Sequence, residues 1–464
     1  MQGEVTGPGQ CSNQVDTYGK ECLQESKLLY NYKDDLGIPP LGMVDDVLAI
    51  SSCGADSVQM NAFLNAKTSI KRLQYGPDKC HQLHVGKDKT LCPDLFIDEW
   101  KLVKKDELQT GIENLVDKQD GIHKLESVQD DKYLGDIISV DGRNSKNIGA
   151  KKAKAVGIVK QIKSMLEDMC LGSYYFEVAL ILRNSLFING ILTNLEASYG
   201  LSESEIVHLE QIDESLLCMM LECPYSAPRE MLYLEMGATP IRYIIMSSRL
   251  MFYHYILRQP ADSLILKFYK TQYANPIKND WCLTVQSNLE TLKINNSESE
   301  MRNMSQYIFK KLVNTAIRKE TFQYLIKIKN SHSKLLHIQY DQFEMQEYFL
   351  PNKMPTQLAK FAFLCRTRMI PVGANFKAGN LFPRCPLCKV EYDSQKHLLF
   401  CPKLSDNIIC QEVLQYGDLF HKNVQKKIIV IKKLHQNLQR RQTHQRKSKL
   451  IKHSSKHNQK KFTK

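Results

Sequence analysis

The sequence predicts an α+β protein, on three observations. The first 140 residues alternate short apolar runs with glycine-containing turns, apolar residues recur at helical spacing from residue 144 onward, and cysteine and histidine cluster near the C-terminus at metal-ligand intervals. A chain of 464 residues allows about two to four domains with proper cores. Its 43% apolar and 24% charged content is that of an ordinary soluble protein and excludes global disorder.

Taken in order, residues 1–90 mix turns, a helix candidate leading from Val15 toward Leu28 and Leu29, and the run Leu41-Gly42-Met43-Val44-Asp45-Asp46-Val47-Leu48-Ala49-Ile50. Apolar flanks of that kind read as two buried strands joined by a tight turn, with Asp45 and Asp46 at its tip. A helix over Ser57–Leu73 follows. Residues 80–140 read as short strands with polar loops, ending in Lys132-Tyr133-Leu134-Gly135-Asp136-Ile137-Ile138.

From Asn144 the period changes. Ile148, Ala155, Val159, Ile162, Leu166 and Met169 follow at steps of seven, four, three, four and three, one helix face, while Lys146, Lys151, Lys152, Lys154, Lys160 and Lys163 occupy its other sides. Tyr174 to Leu195 is apolar almost all round and belongs inside a bundle. Ile206, Leu209, Ile212, Leu216 and Met220 mark a third helix, and Pro240 to Leu257 a fourth. Residues 270–305, rich in Asn, Ser and Lys, read as a linker before a further helix from Gln306 to Lys329.

Two adjacent carboxylates repel each other and resist desolvation, so a fold that holds them together does so mainly to bind a cation. Mg²⁺ is the natural ion, since it is usually held by one or two carboxylates plus substrate phosphates. The competing reading is an exposed turn. Asp34-Asp35 and Asp130-Asp131 repeat the dipeptide in polar, lysine-containing surroundings, where a solvated loop is expected.

Cys385-x2-Cys388-x8-His397-x3-Cys401 has the spacing of a closed tetrahedral Zn²⁺ site. The paired cysteines form a turn whose sulfurs converge on one ion, and His397 and Cys401 can come from one helical turn. No coordination position is left open, so this Zn²⁺ folds the module rather than catalysing anything. Cys365 and Cys410 fall outside the pattern and read as ordinary thiols, and the fourteen cysteines overall fit a reduced compartment.

In their order along the chain, several blocks resemble the reverse transcriptases of non-LTR (LINE-type) retrotransposons. Gln2-Gly3, with Pro8 and Val15-Asp16, is similar to motif B, and Met43-Val44-Asp45-Asp46 stands in the place of motif C. Gly76-Pro77-Asp78-Lys79-Cys80 resembles motif D, and Tyr133-Leu134-Gly135 resembles motif E. The helices after Asn144 correspond to the thumb. The resemblance implies an RNA-directed DNA polymerase in which Asp45 and Asp46 hold Mg²⁺ and Lys79 assists proton transfer to pyrophosphate. Gln2 and Gly3 border the nucleotide and template, and Tyr133, Leu134 and Gly135 grip the primer. The C-terminal module resembles the cysteine–histidine motif that follows the thumb in such proteins, which implies Arg366, Arg368, Lys377 and Arg384 as phosphate contacts, with RNA and DNA as partners.

Two residues depart from the family pattern: Met43 replaces the usual aromatic of motif C, and Val5-Thr6-Gly7-Pro8 replaces the usual Ser-Pro of motif B. The sequence begins one residue before motif B. The expectation is therefore a polymerase portion without fingers or the motif A carboxylate, inactive alone, with any DNA-nicking domain of the element upstream. The alternative is a non-catalytic nucleic-acid-binding protein.

The net charge of +13 is concentrated in Lys422–Lys464, which carries fifteen Lys/Arg and no Asp or Glu. Such a tail attracts polyanions or directs nuclear import; a solvated tail without a partner is the plainer reading. The first thirty residues lack a signal-peptide core, and Glu177, Arg183 and Asn184 interrupt the longest apolar stretch, so no membrane span and an intracellular, nuclear location are expected. The expected organisation is a partial palm (1–140), a helical thumb (141–260), a helical linker region (261–350), the zinc-binding module (351–420) and a basic disordered tail (421–464).

Overall fold

Two-stranded ladders, with one isolated bridge near the C-terminus, make up the β-structure of the computed structural model, which describes residues 30–32, 36–38, 41–43, 46–51, 53–70, 79–85, 93–102, 117–198, 200–370, 372, 384–403, 431–432 and 434–443. β1 (Tyr30–Tyr32) pairs antiparallel with β2 (Leu36–Ile38), and β3 (Leu41–Met43) with β4 (Asp46–Leu48). β5 (His81–Gln82) runs parallel to β8 (Glu126–Ser127). β6 (Phe96–Leu102) pairs with β7 (Asp117–Lys124), and β9 (Asp130–Tyr133) with β10 (Asp136–Ser139), both antiparallel.

The described strands therefore do not join into one continuous palm sheet. Apart from β6 and β7 they are two to four residues long, and an isolated ladder of that length is marginal in water. Helices supply support. α1 (Gly54–Ile70) lies over β6: Asn61 and Asn65, one turn apart, both donate to the Phe96 carbonyl at 2.5 and 2.8 Å. Met60, Leu64 and the strand residue Ile97 are buried.

The rest is helical, and the molecule as a whole is mostly helical with a few small sheets, an α+β fold. α2 (Ser145–Asp168) buries Ile148, Ala155, Ile162 and Leu166, as their spacing predicts; Val159 is half-buried and Met169 is exposed. α3 (Gly172–Leu192) is long and apolar enough, by length and composition, to cross a membrane, which corrects the expectation that no stretch is. In the fold Phe176, Ala179, Phe187 and Ile191 are buried in the bundle core. A π-helical turn over Arg183–Ile188 places the Arg183 guanidinium on Asp213 of α4 (Glu203–Leu221) at 2.5–2.6 Å. That pair, with the Tyr233 hydroxyl on the same carboxylate, is buried.

α5 (Arg229–Met236) and α6 (Ile241–Leu257) complete the first bundle, and α6 continues into a second core. Around it pack α7 (Leu264–Ala274), α8 (Trp281–Thr291), α9 (Glu298–Asn303) and α10 (Gln306–Ser331), with Trp281, Val285, Met301, Phe309 and Val313 buried. Residues 270–305 are thus not a linker. Their polar residues include the caps of short helices, as in the Ser297–Glu300 capping box, while sparse apolar residues fill the core. α11 (Thr356–Arg366) leads to the cysteine-rich module, in which α12 (Gln395–Phe400) carries His397. Residues 434–443 form a further helix, α13, inside the segment expected to be a disordered tail. Leu434 and Leu438 are buried there, which anchors this part of the basic segment.

Candidate metal centre

The module begins as a knuckle. Arg384 and Tyr392 form an antiparallel bridge, and inside it the Cys385 N–H donates to the Glu391 carbonyl at 2.7 Å while the Lys389 N–H donates back to the Cys385 carbonyl at 2.9 Å. Lys389 has φ of +64°, the left-handed conformation that reverses the chain. The backbone N–H groups of Glu391 and Val390 point at the Cys388 sulfur and lower its pKa, favouring the thiolate a metal needs. Ser394 then caps α12, its Oγ accepting from the His397 N–H at 3.0 Å. The helix carries His397, and Cys401 follows as its C-terminal cap.

The four ligand atoms lie within 4.8 Å of one another. Cys385 Sγ and Cys401 Sγ are 3.8 Å apart, and Cys388 Sγ is 3.4 Å from His397 Nε2. A tetrahedral Zn²⁺ with bonds of ~2.3 Å holds two sulfurs ~3.8 Å apart, the separation of Cys385 and Cys401, so the four residues fit the ion. Burial raises the Cys401 thiol to about 11, a proton that binding of a cation would displace. Among the described residues this is the one cluster of three or more candidate metal ligands.

The supports around the ligands are specific. The Gln395 side chain donates to the Cys365 carbonyl at 2.9 Å, fixing the start of α12 on α11. From the other side Asn437 donates to the Leu398 carbonyl at 2.9 Å, and Arg441 makes a two-pronged pair with Asp393 at 2.7 and 3.0 Å.

Of the other expected site residues, Gln2, Gly3, Asp45 and Lys377 lie outside the described residues, as does the Asp46 side chain. The Asp46 backbone opens β4 opposite Met43. Lys79 is exposed. Leu134 and Gly135 form the β9–β10 turn, with φ of 48° and 91°, the positive values that a tight hairpin turn uses. The turn is tied to the bundle by Asn194, which donates to the Leu134 carbonyl at 3.1 Å, and by Lys151, which reaches Asp136 at 3.0 Å. The Tyr133 hydroxyl donates to the Leu41 carbonyl at 3.4 Å, so this hairpin meets the β3–β4 hairpin. Lys146 and Lys151 are engaged by Asp130 and Asp136; Lys154, Lys160 and Lys163 are exposed.

Arg366 is a correction. It is buried, its Nε 3.0 Å from Glu235 Oε1, and so cannot reach a phosphate. Arg368, two residues on, behaves differently. It has φ of +57°, and its buried Nε finds no hydrogen-bond partner among the described residues. Burial, then the nearby charges of Arg368, Arg366 and Lys329, push His337 down to about 4, so cations add to the effect of burial at this corner. Arg384 is exposed beside the knuckle.

The reading from sequence missed Glu235, Asp393 and α13. Ile431, Leu434 and Leu438, at steps of three and four, carried a helical signal inside the basic segment. Nothing local marked Glu235. Neither a protein-family model, nor a curated protein, nor a solved structure matches this chain.

Proposed function

We propose that this chain belongs with the LINE-type reverse transcriptases and binds RNA and DNA through its helical thumb, a Zn²⁺-folded module and its basic tail. The observation that carries the reading is the convergence of Cys385, Cys388, His397 and Cys401 beside the cationic corner at Arg368. Zn²⁺ supplies no chemistry to a substrate here; it holds the knuckle and α12 together, so that Arg384 and the turn after α11 keep a fixed relation. The exposed Lys154, Lys160 and Lys163 of α2 and the lysines and arginines beyond residue 443 add sequence-independent attraction for phosphates.

The test is binding to labelled RNA and DNA across a salt series. Affinity should fall steeply with salt, survive Asp45→Ala, and drop when the Lys/Arg residues of 446–464 are changed to Gln, a change that leaves α13 in place. Binding that ignores salt, or no binding, rejects the proposal.

A catalytic reading draws on the Tyr133–Leu41 contact, which joins the hairpin resembling the primer grip to the hairpin bearing Asp46. In that reading Asp45 and Asp46 hold Mg²⁺, Gln2 and Gly3 border the nucleotide, and Lys79 acts on the leaving pyrophosphate. Primer extension with Mg²⁺ decides it: no product above an Asp45→Ala control ends the catalytic reading. A nuclear location follows from the basic tail as a further part of the proposal, testable by tagging the chain with and without residues 444–464.

A further inference from the structure

We infer that the metal centre is a latch that holds the basic C-terminal segment: with the ion bound, α13 is docked on the module, and without it α13 is released. The inference rests on the Zn²⁺ reading of Cys385, Cys388, His397 and Cys401. Its own basis is where α13 touches. The contacts of Asn437 with Leu398 and of Arg441 with Asp393 both land inside the span bounded by the ligands. Asp393 sits between Cys388 and His397, and Leu398 lies directly after His397.

These contacts are not surface ornaments. Asp393, Arg441 and Asn437 are all buried. A buried ion pair is favourable only while both partners hold their geometry, and displacing one leaves an uncompensated charge. Asp393 is held where it is by the knuckle and by α12, a six-residue helix too short to persist unaided. Among the described side chains between residues 384 and 403, the buried apolar ones are Cys385, Leu398 and Cys401. Two of those three are ligands, so an ion adds directly to what fixes the Asp393 loop and the Leu398 carbonyl.

Leu434 and Leu438 of α13 belong to the same buried cluster as Cys385, Leu398 and Cys401, and His435 packs edge-on against Phe361 of α11, ring centroids 4.9 Å apart. Metal site, α11 and α13 therefore form one cooperative unit. Linkage makes the coupling reciprocal: whatever the ion adds to docking, docking adds to affinity for the ion. In functional terms, the ion fixes the point from which the basic residues after 443 emerge.

Hydrogen exchange on the full-length chain tests the latch, with Co²⁺ as a visible stand-in for Zn²⁺. Loaded protein should show thiolate-to-metal absorption and protected amides across 434–443. After chelation those amides should exchange at least ~10-fold faster, while protection in α6 and α10 persists. By reciprocity, Arg441→Met should weaken metal affinity several-fold. The charge-swapped Asp393→Arg/Arg441→Asp chain should recover part of it. If Co²⁺ binds with its thiolate spectrum but exchange over 434–443 is the same with and without it, the latch is wrong and the metal site stands. If no Co²⁺ binds, metal site and latch fall together.

Discussion

The Arg366 guanidinium lies 3.0 Å from the Glu235 carboxylate, across 131 residues of sequence, with both groups buried. The hydroxyls of Tyr340 and Tyr348 donate to the same carboxylate, and burial beside that charge keeps both protonated. One acid thus ties α5, the segment after α10 and α11 into a single bundle. Removing either partner strands the other in a dry site, at ~3–5 kcal/mol. Glu235→Gln and Arg366→Met should each lower stability by about that amount in urea unfolding, and the double variant should lose much less than the two together.

Arg368 should behave in the opposite way. Arg368 is half-buried, against the fully buried Arg366, and among the described residues its Nε has no hydrogen-bond partner, so its charge is not taken up by a carboxylate as that of Arg366 is. Arg368→Gln is expected to weaken RNA and DNA binding several-fold and to reduce the salt slope by ~1. The unfolding midpoint should stay within ~0.5 kcal/mol of wild type. A stability loss matching that of Arg366→Met would show that both arginines are structural.

How much of this was legible in the sequence depended on range. The faces of α2 and α4, and the extents of α6 and α10, could be read directly, because apolar spacing reports a helix from within its own turns. The metal ligands were equally visible, since all four fall within seventeen consecutive residues. The Arg366–Glu235 pair was not, because nothing beside either residue announces a partner so distant. A composition average also misled: Ser, Asn and Lys across 270–305 suggested a linker, but Asn275, Ser297 and Ser305 are helix caps whose meaning lies in position. Net charge hid α13 in the same way, masking the Ile431, Leu434 and Leu438 stripe.

Glu214 should give the bundle a pH dependence. Burial, reinforced by Glu210 and Asp213 and opposed by Arg229 at 3.1 Å, raises its carboxyl to about 7. A carboxyl raised in the folded state contributes stability that is present below its unfolded value of 4.5 and is lost as pH climbs through 7. Glu214→Gln should therefore stabilise the protein at pH 8, by ~1 kcal/mol once solvent screening is allowed for. It should change little at pH 4. Thermal unfolding at both pH values checks this, and an equal effect at both would remove Glu214 as the cause.

Gly237 separates two reasons for a glycine. It ends α5 with φ of +62°, a conformation any side chain resists and Asn resists least. It also has no room: a Cβ there would lie 2.3 Å from the Met345 nitrogen and 2.6 Å from the Glu344 carbonyl carbon. That backbone cannot retreat cheaply, because the Gln346 N–H donates to the Glu235 carbonyl at 2.9 Å beside the buried hub. Gly142 supplies the control, with φ of +65° and nothing within 4 Å of its would-be Cβ. Gly142→Ala should cost only the conformational term, ~1 kcal/mol. Gly237→Ala should cost well beyond that, by ~2–4 kcal/mol when the clash is added. Gly237→Asn is the discriminating variant. Asn eases the backbone term but brings the same Cβ, so if contact with the 344–346 segment is what excludes a side chain, Asn should be as damaging as Ala in unfolding measurements. A clear recovery with Asn would instead make backbone conformation the whole reason for this glycine.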